Sequence, residues 1–152
     1  MSAYDGKNAI VSFSIQPETA TAGTLVWTTL GMMRTKSLGG TWETASSTAD
    51  STADSASTVI ATRRSFSFSG DGVSYDDAAY NQRTLKNHFF NPGVITEKQP
   101  KAWFKLAYPS GESFIGPFMI TSWSDESPEA DVQTWSIEAT SNGNVVYDDG
   151  VA

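Results

Sequence analysis

The residues through which this chain can act chemically are few: one histidine, His88, no cysteine, and a run of acids at Asp125, Glu126, Glu129 and Asp131. A Ser-His-Asp triad needs an imidazole held over a nucleophile. His88 instead precedes Asn91-Pro92-Gly93, a helix stop, and so belongs to a last helical turn, where a cation or a donor to free carbonyls is favoured. One histidine without cysteine supplies no zinc ligand set, and the lack of thiols excludes disulfides and thiolate nucleophiles. The four acids offer the oxygen ligands that calcium takes, but they lack the Asp-x-Asp-x-Asp order and the glycine of a calcium loop. Pro128 among them reads as a plain turn. A carboxylate pair with stacking tryptophans would suit a sugar. Of the five tryptophans, Trp27, Trp103, Trp123 and Trp135 fall inside strand patterns that bury them, and only Trp42 lies in a polar stretch. No phosphate loop, nucleophile elbow or His-Glu-x-x-His is present. The expectation is a protein that is not an enzyme and uses no cofactor or metal.

Composition points the same way. The 152 residues, 39% of them hydrophobic, suffice for one packed domain, 1–152, and are too few for two. Seventeen acidic residues against ten basic ones give a formal charge of -7. Such a surface repels phosphate, because nucleic-acid affinity rests on clustered Lys and Arg displacing counterions. No stretch reaches the ~18 apolar residues of a membrane span. The opening Met-Ser-Ala-Tyr-Asp-Gly has no basic segment leading into an apolar run, so no secretory signal is expected and synthesis in the cytoplasm is.

The elements that must position these residues are mostly short strands. Residues 8–15 carry β-branched Ile10, Val11 and Ile15 in a partly alternating run that ends at Gln16-Pro17; residues 24–30 put Leu25, Trp27 and Thr29 on one face and Val26, Thr28 and Leu30 on the other. Ser65-Phe66-Ser67-Phe68-Ser69 alternates with period two, and Gly70-Asp71-Gly72 reads as a turn. Phe104, Leu106 and Tyr108 share one side of 102–108, Pro109-Ser110-Gly111 turns the chain, and 113–123 returns with Phe114, Phe118 and Ile120 on one face. An acidic loop, 125–131, leads into a strand over 132–140, and Ser141-Asn142-Gly143 turns into Val145-Val146-Tyr147. One helix is expected over about 75–90. Ser74-Tyr75-Asp76-Asp77 has the form of a capping box, Lys86 and His88 fall in the last turn, and Ala78, Leu85 and Phe89 share a face. The fold class is mainly β: a sandwich or barrel of two packed antiparallel sheets with one flanking helix.

Every residue of 44–58 is Ser, Thr, Ala or Asp, and Ser47-Thr48-Ala49-Asp50 repeats at once as residues 51–54. Nothing there larger than Ala is apolar, so the stretch cannot offset the entropy of being fixed against a core. It reads as a flexible surface loop, or as one that orders on a partner. Strand-like segments flank it, which makes a long antiparallel hairpin over about 34–68. Many hairpin residues are polar on both faces, as suits a ribbon whose second face meets something other than its own core.

This order of features resembles the major tail tube proteins of long-tailed bacteriophages. The carriers are an N-terminal strand pair ending in the Trp27 strand, the hairpin from Lys36-Ser37-Leu38-Gly39-Gly40-Thr41-Trp42-Glu43 onward, one helix, and Pro109-Ser110-Gly111-Glu112-Ser113-Phe114-Ile115-Gly116-Pro117-Phe118-Met119-Ile120-Thr121-Ser122-Trp123. The most specific stretch is 102–148. The resemblance implies a structural virion protein, six copies to a ring, with rings stacked into a hollow tube that conducts DNA into the host. It also implies that the hairpin joins an inter-subunit barrel, with Lys36, Trp42, Glu43, Arg63 and Arg64 as interface candidates. The large loop would reach the next ring through Thr44, Ser47, Asp50, Ser51, Asp54 and Thr58. The implied partners are further copies of the chain, a tape measure protein inside the tube, and terminator and baseplate proteins at its ends. DNA would pass without specific binding, and the implied location is the virion tail, assembled in the host cytoplasm. With Ala152 as the last residue, the immunoglobulin-like addition that some members carry is not expected. An acidic channel wall would let DNA slide, so a net negative lumen is expected. The alternative is a monomeric carbohydrate-binding or adhesin-like module displaying Trp42 and Tyr75.

Overall fold

The computed structural model describes residues 9–31, 33–46, 59–75, 80–129 and 131–151. Eight strands follow in order: β1 (Ile10–Ser14), β2 (Thr28–Thr29), β3 (Met33–Ser46), β4 (Val59–Val73), β5 (Lys101–Ala107), β6 (Ser113–Glu126), β7 (Thr134–Ser141) and β8 (Val146–Asp148). One helix, α1 (Gln82–Phe90), lies between β4 and β5. All strand pairs are antiparallel and form one sheet in the order β2-β1-β5-β6-β7-β4-β3, with β8 beside β6. The expected two layers are therefore a single sheet folded over itself.

The fold-over happens in β6. Its residues 113–119 pair with β5 and its residues 118–126 pair with β7, with a bulge between Ile120 and Ser122. Gly116 lies in the first of these segments because a Cβ there would come within 2.7 Å of the Val145 Cα, which crosses over the strand. In consequence β4 and β5, separated in the sheet by two strands, face one another, and the rings of Phe68 and Phe104 lie 5.3 Å apart. Phe118 meets Phe104 edge-on at 5.8 Å. Val11, Phe13, Leu85, Ile120 and Ile137 complete a continuous core. Fully burying each such side chain stabilises the fold by roughly 1.5–3 kcal/mol.

Several local expectations give way to tertiary contacts. The strand over 24–30 shrinks to Thr28–Thr29, because β1 offers it only Ser12 and Phe13 as partners. Ala22–Thr24 instead forms a 3-10 turn, and Val26 is 81% exposed. Trp27 is half-buried, with the Lys105 ammonium 6.0 Å from its ring. Gly70-Asp71-Gly72 does not turn; it stays within β4, paired on both sides. Glycine is required at position 70 by close packing, since a Cβ would meet the Met33 Cε at 2.2 Å and the Thr35 carbonyl at 3.1 Å. The helix starts at Gln82, later than 75, with Ser74 and Tyr75 outside it; Asp76, Asp77 and Ala78 lie outside the described residues. Asn81 precedes it in a left-handed conformation (φ 59°) and its side-chain amide donates to the Thr29 carbonyl. The buried face of α1 is Gln82, Leu85 and His88, with Phe89 packed partly against the core. Gln82 is fully used: its Oε1 accepts from the Tyr75 amide, and its Nε2 donates to the Gly31 and Val73 carbonyls. The large loop is also shorter than 44–58, because Thr44, Ala45 and Ser46 continue β3 opposite Ala61, Ile60 and Val59.

Candidate assembly surface

β4 pairs with β3 from residue 59, but it reaches β7 only from Ser67. The first half of the hairpin therefore projects beyond the body as a two-stranded ribbon. Residues 39–46 and 59–65 are all exposed. Among the described residues, no strand pairs with the outer edge of β3 or with β4 before Ser67, so rows of backbone donors and acceptors face outward.

The register sorts the interface candidates. Trp42 stands opposite Arg64, and Glu43 opposite Arg63. Trp42 is 59% exposed, with the Arg64 guanidinium 5.9 Å from its ring centroid. Arg64 also lies over Phe66 and donates to the Asn144 side chain and the Val145 carbonyl, which ties the ribbon to its own body. Lys36 does the same at the other end of the strand, donating to the Ala9 carbonyl, and burial pushes its ammonium pKa down. Trp42, Glu43 and Arg63 are left facing outward. Of the loop candidates, Thr44 is an exposed strand residue; Ser47, Asp50, Ser51, Asp54 and Thr58 lie outside the described residues.

A second feature emerges only when neighbouring strands are put in register. Opposite the core, the sheet carries Ser37 beside Ser69 and Glu138, Thr41 beside Ser65, and Thr35 beside Asp71 and Ser136. Ser124 and Glu126 of β6 extend the same face next to Ser136 and Thr134. It is a wall of hydroxyls with carboxylates at Asp71, Glu126 and Glu138; the single cation at its paired positions is Arg63, facing Glu43. The alternation Ser65-Phe66-Ser67-Phe68-Ser69 was the sequence signal for it, yet that signal covers one strand of four.

A third feature lies where α1 meets the ends of β6 and β7. A cavity of about 410 Å³ is lined there by Tyr75, Arg83, Lys86, Gln133 and the pair Trp123 and Trp135. The two indoles stack at 5.1 Å and 10°. Lys86 pairs with Asp125, whose other oxygen accepts from the Trp123 indole. The spacing of the two tryptophans gave no sign that they would stack.

The one histidine serves the fold. His88 is buried and its Nε2 lies 2.7 Å from the Lys101 carbonyl, so that nitrogen carries the proton and the ring is structural. Burial lowers its pKa, opposed in part by that bond. Lys101 is buried too and pairs with Glu18 at 3.0 Å; a bond from its own backbone and then Lys101 hold the Glu18 carboxyl below the usual range. Among the described residues, no three His, Asp or Glu side chains converge as metal ligands.

Similar folds occur in tail machines. The chain superposes on a subunit from the tail of an empty gene transfer agent particle, refined with helical C6 symmetry, at TM-score 0.73 and 21% identity, covering 96% of this chain and 99% of that one. The SPP1 tail tube matches at TM-score 0.64 and 14% identity, over 96% of this chain and 79% of that one. A chain of the anti-feeding prophage baseplate matches at 0.64 and 9%, over 97% and 96%. At these identities the likeness is one of fold. No curated protein matches the sequence. The sequence model of the phage tail tube proteins, however, matches residues 3–147, nearly the whole length, and so this chain belongs to the phage tail tube protein family, a structural constituent of the virion tail.

Proposed function

We propose that the chain forms six-membered rings that stack into the tube through which the phage genome leaves. The observation that carries this reading is the projecting ribbon of β3 and β4, with open edges, exposed Trp42, Val59 and Ile60, and no buried residue beyond Phe66. Such a ribbon gains its missing hydrogen bonds when copies around a ring add their strands side by side, and closure of the ring leaves no edge exposed. The sixfold symmetry of the gene transfer agent tail supports the ring size. In this arrangement the hydroxyl face lines the lumen, and Asp71, Glu126 and Glu138 repel passing phosphates. Before DNA, the lumen holds a tape measure protein, and terminator and baseplate proteins cap the ends. Segment 47–58 reaches the adjoining ring.

The binding-module alternative draws less support. Tyr75 follows Val73, which lies nine residues beyond Arg64 and its partner Trp42, roughly 30 Å along the strand at ~3.3 Å per residue. Two aromatics so far apart make no common sugar platform. Negative-stain microscopy of the purified full chain decides between the two: filaments of uniform diameter with sixfold rings are expected, and a population that remains monomeric would refute the tube. In assembled particles Glu138→Lys should slow DNA ejection without shortening tails; unchanged ejection would remove the hydroxyl face from the lumen.

A further inference from the structure

The tryptophan cavity and the hairpin tip occupy opposite ends of one strand. β4 begins at Val59, directly after segment 47–58 in the chain, and runs 15 residues, about 50 Å at ~3.3 Å per residue, before the Val73 carbonyl is taken by Gln82 and Ser74 enters the cavity wall. Copies stacked head to tail along that strand therefore bring the tip of one against the cavity of the next. Such a contact is heterologous and repeats without closing, as a filament requires.

The cavity is also chemically unfinished. Lys86 is paired with Asp125, but Arg83 has no ion pair or hydrogen bond among the described residues, on a chain of charge -7. In the same wall the Trp135 Nε1 is fully buried without an acceptor, the kind of group that native folds normally satisfy. The tip has the complementary character. Residues 44–62 contain no Lys or Arg, their only charges are Asp50 and Asp54, and the side chains of 47–58 are small hydroxyl, methyl or carboxylate groups.

We infer that the cavity between α1 and the β6–β7 end is the receptor for the hairpin tip of a second copy in the next ring, with Asp50 and Asp54 directed to Arg83 beside the stacked tryptophans. This rests on the stacked-tube reading and names the receiving surface that reading leaves open.

The absence of cysteine allows a direct test in the full chain. Gln133→Cys combined with Asp54→Cys, assembled and then oxidised, should give a ladder of cross-linked subunits on a non-reducing gel. Its yield should exceed by at least about tenfold that of Val94→Cys with Asp54→Cys, since Val94 is 81% exposed but outside the cavity. Val59, where β4 starts, is ~50 Å along the strand from its cavity end, farther than the five residues back to position 54 can span at ~3.6 Å each, so a link within one chain is excluded. In parallel, Arg83→Glu should shorten tubes several-fold while leaving rings intact, and adding Asp50→Lys with Asp54→Lys should restore their length. Tubes without a ladder, a ladder equal to the control, a ladder in unstacked rings, or tube length indifferent to Arg83→Glu would overturn the receptor and leave the tube standing. A parent chain that forms no tubes would overturn both.

Discussion

Along β4 one alternating pattern meets two environments. From Phe66 to Val73 every second residue turns toward the core, with Phe68 only 2% exposed and Gly70 and Gly72 buried. From Val59 to Ser65 the same strand, still paired with β3, has both faces in solvent. The first half is held by its own chain; the second is an isolated ribbon of the kind that is marginal in water. The difference teaches that strand pairing alone does not stabilise this hairpin. Its body half is stabilised by apolar burial, and its projecting half, exposed on both faces, lacks that burial.

Four substitutions probe that contrast, from the largest expected effect on folding to the smallest. Phe118→Ala in the body removes a ring packed on Phe104 and should cost about 3–5 kcal/mol in urea unfolding. A loss below about 1 kcal/mol would mean that the core is not centred at the bend of β6. Gly70→Val, inside the body half, forces Met33 aside and presses on the Thr35 carbonyl, with an expected loss of about 1–3 kcal/mol. Full stability there would show that β3 and β4 are looser in the body than their contacts imply.

The third concerns pH. Above about 6.5 His88 is neutral in both folded and unfolded chains. As pH falls through that value the unfolded chain takes up a proton that burial makes the folded chain refuse, so stability declines until the lowered folded pKa is passed. His88→Gln should flatten this limb of the pH profile; an unaltered slope would place the source elsewhere. Last, Trp42→Ser in the projecting ribbon should change monomer stability by less than about 0.5 kcal/mol while reducing tube formation, read by sedimentation. Equal assembly of the variant and the parent would take Trp42 out of the interface.

Strands β1, β5, β6 and β7 are legible in the sequence because their alternation is local and their ends carry turn residues such as Pro109 and Gly111, the latter at φ 96°. The stop of α1 is legible for the same reason. Its start is not: Ser74 and Asp77 satisfy a capping pattern, while the structure uses Ser74 to donate its amide to the Gln133 carbonyl. The reading of 24–30 as a strand fails because a strand also needs a partner, and on the edge of β1 away from β5 only Thr28 and Thr29 find one, opposite Phe13 and Ser12. Among the interface candidates, sequence placed Lys36 and Arg64 on the hairpin, but only folding revealed that Ala9, Asn144 and Val145 take up their charges.

Residue type and period determine by themselves the mainly β class, the acidic excess and the hydroxyl character of the hairpin, because each is a property of a residue or of its near neighbours. Tertiary structure alone decided that the layers are one sheet bent at β6, that four strands merge their hydroxyls and carboxylates into one wall, and that two tryptophans twelve residues apart stack beside Arg83. These depend on contacts between residues distant in sequence, whose formation is set by loop closure and packing rather than by local preference.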